Sequence, residues 1–315
     1  MIRLALWAGF IAVLALLPGA PVHAQPTKVW VSKAGVDSGT CGAVASPCAT
    51  FQQAHNNVAA AGDIGVLTPG DYGPVVILKS INVTNDGSGE AAVLVAPNGR
   101  GIEVAAGPGD IIGLRGLTVD GQSAGLAGID VGTASAVHIQ TCVVRNLASG
   151  YGILHEGGST RLFVSDTTIV GAGGAGIVIS IDTGRPDIVL DRVRLENNLH
   201  GLFVDTSLAA GGGAHVVVRD SIIAGNAGNG VYALASQFGL PAFAFIEGSS
   251  IVDNAGSGIL THGLRATVIL GSSQITRNGA GVTTVNGGQV FSYGDNQNNN
   301  NIGAEGTPTG MLAPF

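Results

Sequence analysis

The sequence predicts an all-β parallel solenoid with a short N-terminal capping helix, and three observations predict it. A glycine followed by an aliphatic residue recurs at Gly101-Ile102, Gly128-Ile129, Gly152-Ile153, Gly176-Ile177, Gly201-Leu202, Gly230-Val231, Gly258-Ile259 and Gly281-Val282, at steps of 23 to 29 residues. A unit of this size cannot bury its own apolar face and must stack on its neighbours. Downstream of each glycine a uniformly apolar column can be aligned: Val119, Val144, Ile169, Leu195, Ile223, Ile251 and Ile275. A small-residue column (Leu117, Cys142, Thr167, Val193, Ser221, Ser249, Ser273) lies two residues before it, hence on the same inward strand face. Helical periodicity is absent throughout this region.

The elements follow in chain order. Met1-Ile2-Arg3, the apolar stretch Leu4–Leu17, the break at Pro18-Gly19-Ala20-Pro21 and the small residues of Val22-His23-Ala24 read as a cleaved leader over residues 1–24. The mature chain would begin at Gln25 and be secreted or periplasmic, with no membrane span left after cleavage. Residues 25–74 hold a leading strand (Val29-Trp30-Val31), a cysteine loop and a helix. Cys41 and Cys48 flank Gly42 and Pro47 and are expected to pair in an oxidising compartment, whereas Cys142 belongs to a packed column. Ser46 before Pro47 reads as a helix start, and Phe51, Ala54, Val58 and Ala61 form one apolar stripe. A helix here covers the open end of a stack, with His55, Asn56 and Asn57 solvated.

Coils occupy residues 75–295. Within each, a strand after Gly-Ile leads through a variable turn to a triplet such as Val137-His138-Ile139, Leu162-Phe163-Val164, Ile188-Val189-Leu190, Val216-Val217-Val218 or Val268-Ile269-Leu270. A further strand ends near Asn198, Asn226, Asn254 or Asn278. This asparagine column fits left-handed backbone and a ladder of stacked amides. Residues 296–315, with Asn298 to Asn301 in succession, form a polar C-terminal cap or tail.

The Gly-Ile…Ser-x-Ile…Asn-x-x-x-Gly cadence over residues 75–295 resembles the right-handed parallel β-helix proteins of the pectin-lyase-like superfamily, in their uncharacterised bacterial exported form. The resemblance implies a right-handed coil and a polysaccharide-related setting. It does not carry over a catalytic set. The paired aspartates and Gly-His-Gly of polygalacturonases are missing, Thr261-His262-Gly263 being the nearest echo, and the Asp-Pro-His-Glu signature of epimerases with this fold is absent.

Composition fits a narrow rod: 45% hydrophobic, 5% aromatic, 11% charged, with 51 glycines. A formal charge of -7 and the lack of basic runs speak against nucleic acid and anionic membranes as partners. The outward column after each glycine reads Asp130, Leu154, Val178, Phe203, Tyr232, Leu260, Thr283. Two residues on it reads Gly132, Glu156, Ser180, Asp205, Leu234, His262, Val285. Phe203 and Tyr232 on adjacent coils suggest a platform for sugar rings, with the long turns from Ser207 and Ser236 as walls. Glu156, Asp182, Asp205 and His262 are the polar candidates beside it. The competing reading has the acids solvating the rod while Leu154, Val178 and Leu260 pack under the turns. Two function classes fit: a non-catalytic glycan- or surface-interacting scaffold, which is preferred, and a divergent polysaccharide lyase or glycoside hydrolase. The sequence implies no cofactor or metal site, and calcium would come only with the enzyme reading.

Overall fold

The computed structural model describes residues 24–236 and 240–313. The expected leader therefore lies, up to His23, outside the described residues. All strand pairings between the named strands are parallel, and three sheets of twelve, nine and ten strands run the length of the rod. One coil visits each sheet once. Ala127–Val131 lies in the nine-stranded sheet, Ala136–Gln140 in the twelve-stranded and Val143–Leu147 in the ten-stranded, before Tyr151–His155 opens the next coil. The twelve-stranded sheet already includes Lys28–Val31 and Gly62–Val66 and continues to Gly310–Met311. Among the described residues no helix is long and apolar enough to cross a membrane.

The inward columns lie where the alternation put them: Val119, Val144, Ile169, Leu195, Ile223, Ile251 and Ile275 are all fully buried. They also explain the repeat glycines, which are not turn residues. A Cβ on Gly201 would lie 2.3 Å from Ile223 Cγ2 and 2.6 Å from the Gly230 carbonyl; at Gly152 the corresponding distances are 2.2 Å to Ile169 Cγ2 and 2.4 Å to the Gly176 carbonyl. Each glycine is required because the coil closes too tightly there, over the apolar column or over an asparagine amide and the next coil's carbonyl, to admit a side chain.

Two polar ladders run inside the stack. Asn226 Nδ2 donates to Asn254 Oδ1 at 2.8 Å and to the Leu195 carbonyl at 3.1 Å, and Asn254 Nδ2 donates to Asn278 Oδ1 at 2.8 Å. The backbone N–H of Ser221 donates to Ser249 Oγ, and that of Ser249 to Ser273 Oγ, each at 3.2 Å. Buried polar groups that satisfy one another fix register instead of destabilising the core. The asparagines do not supply the left-handed geometry, however. That falls one residue earlier, at Asn197, Gly225, Asp253 and Arg277, and in a second turn at Asp166, Arg192, Asp220, Gly248 and Ser272.

The capping helix runs Phe51–Asn57 with Thr50, not Ser46, as N-cap: Thr50 Oγ1 accepts the Gln53 N–H at 3.1 Å. Ser46-Pro47-Cys48 is held extended against the leading strand, with Cys48 N–H donating to the Trp30 carbonyl at 2.9 Å. Asp37 then anchors Ala49 and Thr50 by their N–H groups, at 2.7 and 3.0 Å. The chain becomes free to coil only after this clamp. Phe51, Ala54 and Val58 are buried as expected, whereas Ala61 is exposed beyond the helix end. His55 departs from its expected solvated place. It is 4% exposed, because its Nε2 accepts the Leu78 N–H at 3.1 Å and ties the helix to the first coil. Cys41 and Cys48 form the disulfide, and Asn57 Nδ2 donates to the Cys41 carbonyl at 2.9 Å.

At the far end, Asn298 stands in register with Ile275, at the inward position. Its amide donates to the Glu305 carbonyl at 2.7 Å, so the core column ends on a polar group that the chain folds back to satisfy. Asn301 extends the amide ladder beyond Asn278.

Candidate functional site

The outer face of the nine-stranded sheet carries the outward columns in the expected register. Asp130, Leu154, Val178, Phe203, Tyr232, Leu260 and Thr283 are paired successively, and Ser180, Asp205, Leu234, His262 and Val285 follow one another on the same face. Two environments result. Leu154 and Val178 are nearly buried in a small outer cluster with Ala127 and Ala175, against which Tyr151 and Phe203 pack. Past Phe203 the face becomes polar and ring-rich.

Phe203 and Tyr232 have centroids 4.8 Å apart and planes 13° apart. Two rings lying side by side in one plane cannot approach so closely, so the pair is face-to-face along the rod, an offset stack. It therefore presents ring edges to solvent and not the flat continuous platform that the spacing suggested. His200 packs tilted against both, at 6.0 Å from Phe203 and 5.7 Å from Tyr232, and accepts the Asn229 N–H on Nδ1 at 3.0 Å. Burial holds the His200 pKa below its ordinary value.

The Tyr232 hydroxyl lies 3.5 Å from His262 Nδ1, and Asn286 Nδ2 lies 2.8 Å from His262 Nε2. With the amide donating to Nε2, the proton of the neutral ring sits on Nδ1 and faces the phenol oxygen. The phenol's own proton is then free for an outside acceptor. Burial first, then the Asp205 carboxylate, pushes the Tyr232 pKa up, so the hydroxyl remains a donor. His262 and Asn286 border a cleft of about 600 Å³ with Leu234, Ser236 and Leu264.

The other candidates do not join this group. Asp205 faces Leu234 across the register, and its Oδ1 accepts the Ser207 N–H at 2.8 Å, shaping the start of its own turn. Asp182 is exposed, and its carbonyl accepts the Ala210 N–H at 2.7 Å, joining successive turns. Glu156, two coils before Asp205, lines a separate cleft of about 560 Å³ with Thr160, Arg161, Arg185 and Asp187. Among the described residues, the only three potential metal-ligand side chains within 4.8 Å of one another are Asp37, Cys41 and Cys48, and both of those sulfurs are in the disulfide.

Two polar residues of this region, Asn286 and His155, escaped the sequence reading, and a third, Asp130, stood in the outward column without being singled out. Asn286 lies in the turn beyond the column, where only the coil register brings it to His262. Asp130 is buried against Arg100, and desolvation raises its pKa. His155 is wholly buried at an inward position; its Nε2 is bound to the Thr160 carbonyl at 2.8 Å, and its Nδ1 has no partner.

The model of the right handed beta helix region matches residues 127–302, more than half of the chain. The chain belongs to the right-handed β-helix family. Among solved structures, this β-helix is similar to the pectate lyase Pel9A, with a TM-score of 0.65 at 17% identity over 92% of this chain and 80% of that one. It is also similar to the A-modules of the mannuronan C-5 epimerases AlgE6 and AlgE4 of Azotobacter vinelandii. For AlgE6 the TM-score is 0.51 at 15% identity, over 81% of this chain and 90% of that one. For AlgE4 it is 0.50 at 14% identity, over 90% of this chain and 100% of that one. At these identities the likeness is one of fold. No curated protein matches the β-helix in sequence.

Proposed function

We propose that this protein is an exported glycan-binding β-helix whose binding edge runs along the nine-stranded sheet from Phe203 to Asn286. The observation that carries the reading is the Asn286–His262–Tyr232 chain, which aims a phenol proton outward beside a 600 Å³ cleft and next to apolar ring edges. Sugars ask for this mixture, since hydroxyls need fixed donors and acceptors while ring C–H groups need apolar contact. Arg161 and Arg185, which line the separate cleft with Glu156 and Asp187, have no carboxylate within 4.0 Å among the described residues and favour an acidic polymer over a neutral one. The pectate lyase and mannuronan epimerase neighbours are compatible with such a ligand. The disulfide accords with an oxidising, extracytoplasmic compartment.

Calorimetric titration of the mature protein with pectate, alginate and a neutral glucan tests this. Binding to an acidic polymer, lost in His262→Ala, supports the reading; no binding to any of the three removes it. The enzyme alternative draws on the same tyrosine–histidine pair as a proton donor. It would be favoured by the appearance of an unsaturated product, read by ultraviolet absorbance during the same incubation.

A further inference from the structure

The middle residue of each triplet in the twelve-stranded sheet points outward. In register these residues are His138, Phe163, Val189, Val217, Phe245, Ile269 and Phe291. Seven successive coils thus carry one uninterrupted apolar column with a histidine at its start. Phe243 and His215 thicken it on one side, stacked at 4.6 Å, and Tyr293 meets Phe245 edge-on at 6.4 Å. The ten-stranded sheet differs, since its outer face is broken by Asp120–Arg145 and Arg194–Glu196 ion pairs. All seven residues are half-buried by their neighbours along the column, and none belongs to the glycan edge.

We infer that this face is a homodimer interface, in which two rods pack twelve-stranded sheet to twelve-stranded sheet and antiparallel. The occupant follows from the charges at the rim. Two residues past the column lie Asp191, Arg219 and Glu247 on consecutive coils, so Arg219 stands in register between two acids of its own chain, yet neither Arg219 nor Glu247 has an ion-pair partner within 4.0 Å among the described residues. A two-fold axis perpendicular to the rod, passing between the Val217 and Phe245 coils, sets Arg219 of each copy opposite Glu247 of the other. The same operation sets Val217 against Phe245, Val189 against Ile269, Phe163 against Phe291 and His215 against Phe243. Asp191 then meets Gly271, so no like charges face each other. A two-fold axis along the rod does the reverse and places Asp187 against Asp191 twice.

A sugar polymer fits this face poorly. Its rings are stacked along the rod and show only edges, and the column offers no hydroxyl or amide to bind sugar hydroxyls. The footprint, about 29 Å by 13 Å from seven coils and three outward columns, buries roughly 750 Å² in all, below the range of stable specific interfaces. The dimer is therefore weak and exchanges on dilution.

Sedimentation velocity of the full mature chain, from micromolar upwards, should show a monomer–dimer equilibrium. Val217→Asp should abolish the dimer with unchanged circular dichroism. Arg219→Glu should weaken it about tenfold, and adding Glu247→Arg should restore it. The paired substitution Val189→Cys with Ile269→Cys should give a covalent dimer under oxidation. Those two positions are three coils apart within one chain, about 14 Å, too far for an internal bond. A monomer at every concentration overturns the inference, as does a dimer that ignores both Val217→Asp and the charge reversal. Loss of glycan binding in Val217→Asp without any change in mass would assign the face to the ligand instead. The glycan titration reads a different face, so the two readings fail separately.

Discussion

The outer faces of the nine- and twelve-stranded sheets carry ring pairs of nearly the same geometry. Phe203–Tyr232 and His138–Phe163 are both 4.8 Å apart, with planes 13° and 11° apart. The likeness has a simple cause, because parallel register repeats the strand spacing along each column and any two rings in one column must stack. Stacked aromatics on such a rod are therefore no sign of a ligand site. What distinguishes the two faces is what surrounds the rings. On the nine-stranded sheet a phenol, an imidazole and an amide form a hydrogen-bonded chain at the rim of a cleft. On the twelve-stranded sheet the rings continue into valine and isoleucine.

Both faces hang on one core, and the largest effect comes from striking it. Ile251→Asp places a carboxylate between Ile223 and Ile275, all three fully buried, at a cost of several kcal/mol. The variant should not fold, and its far-ultraviolet circular dichroism should lose the β signal. Native dichroism would break the inward assignment on which both faces rest.

Acid should act next. Burial lowers the pKa of His55, His138, His155 and His200, so the folded chain prefers all four neutral. The unfolded chain takes up protons near pH 6.5. The stabilisation is thus complete above that pH and declines as the pH falls below it towards the lower folded values. Urea midpoints should be level from pH 8 to 7 and drop by pH 5. His155→Val should flatten the drop most, because His155 is the most buried of the four.

A matched pair of double variants sharpens the comparison directly. Phe203→Ala with Tyr232→Ala and His138→Ala with Phe163→Ala should each lose about 1–3 kcal/mol of stability, as expected for half-buried stacked rings. Only the first should weaken glycan binding. Equal binding in both would return Phe203 and Tyr232 to the role of packing residues. The smallest effect is expected from Tyr232→Phe, which keeps the stack and removes only the hydroxyl with its one long contact to His262. Thermal stability should be unchanged, while affinity falls by about tenfold, the worth of one hydrogen bond.

The period, the inward column and the amide ladder were legible in the sequence because each is a strict one-residue alignment that repeats coil after coil. The left-handed turn positions were not, since Asn197, Gly225, Asp253 and Arg277 share a backbone conformation without sharing a side chain. The helix start was misplaced because Asp37 and the disulfide, distant or local restraints on Cys48 to Thr50, outweigh a good local cap. The outward columns were read correctly, but not what they become in space. Coils of unequal length bring Asn286 to His262 and leave Glu156 and Asp182 away from Tyr232. The middle members of the triplets were in plain view, and their alternation alone marks an outward apolar column; reading each triplet as a β-branched strand hid it.

The amide ladder has a consequence for how this chain can change length. Each asparagine is linked to the next by an identical donor and acceptor, and Asn226 and Asn254 are 28 residues apart. Removing residues 226–253 as one piece would bring Asn198 directly against Asn254 and leave every amide with a partner. Removing half that number would strand an amide inside the rod and turn an isoleucine outward. The ladder thus acts as a ruler marked in whole coils. A rod built on it can be shortened or lengthened in complete units, with the helix at one end and the Asn298 closure at the other unchanged.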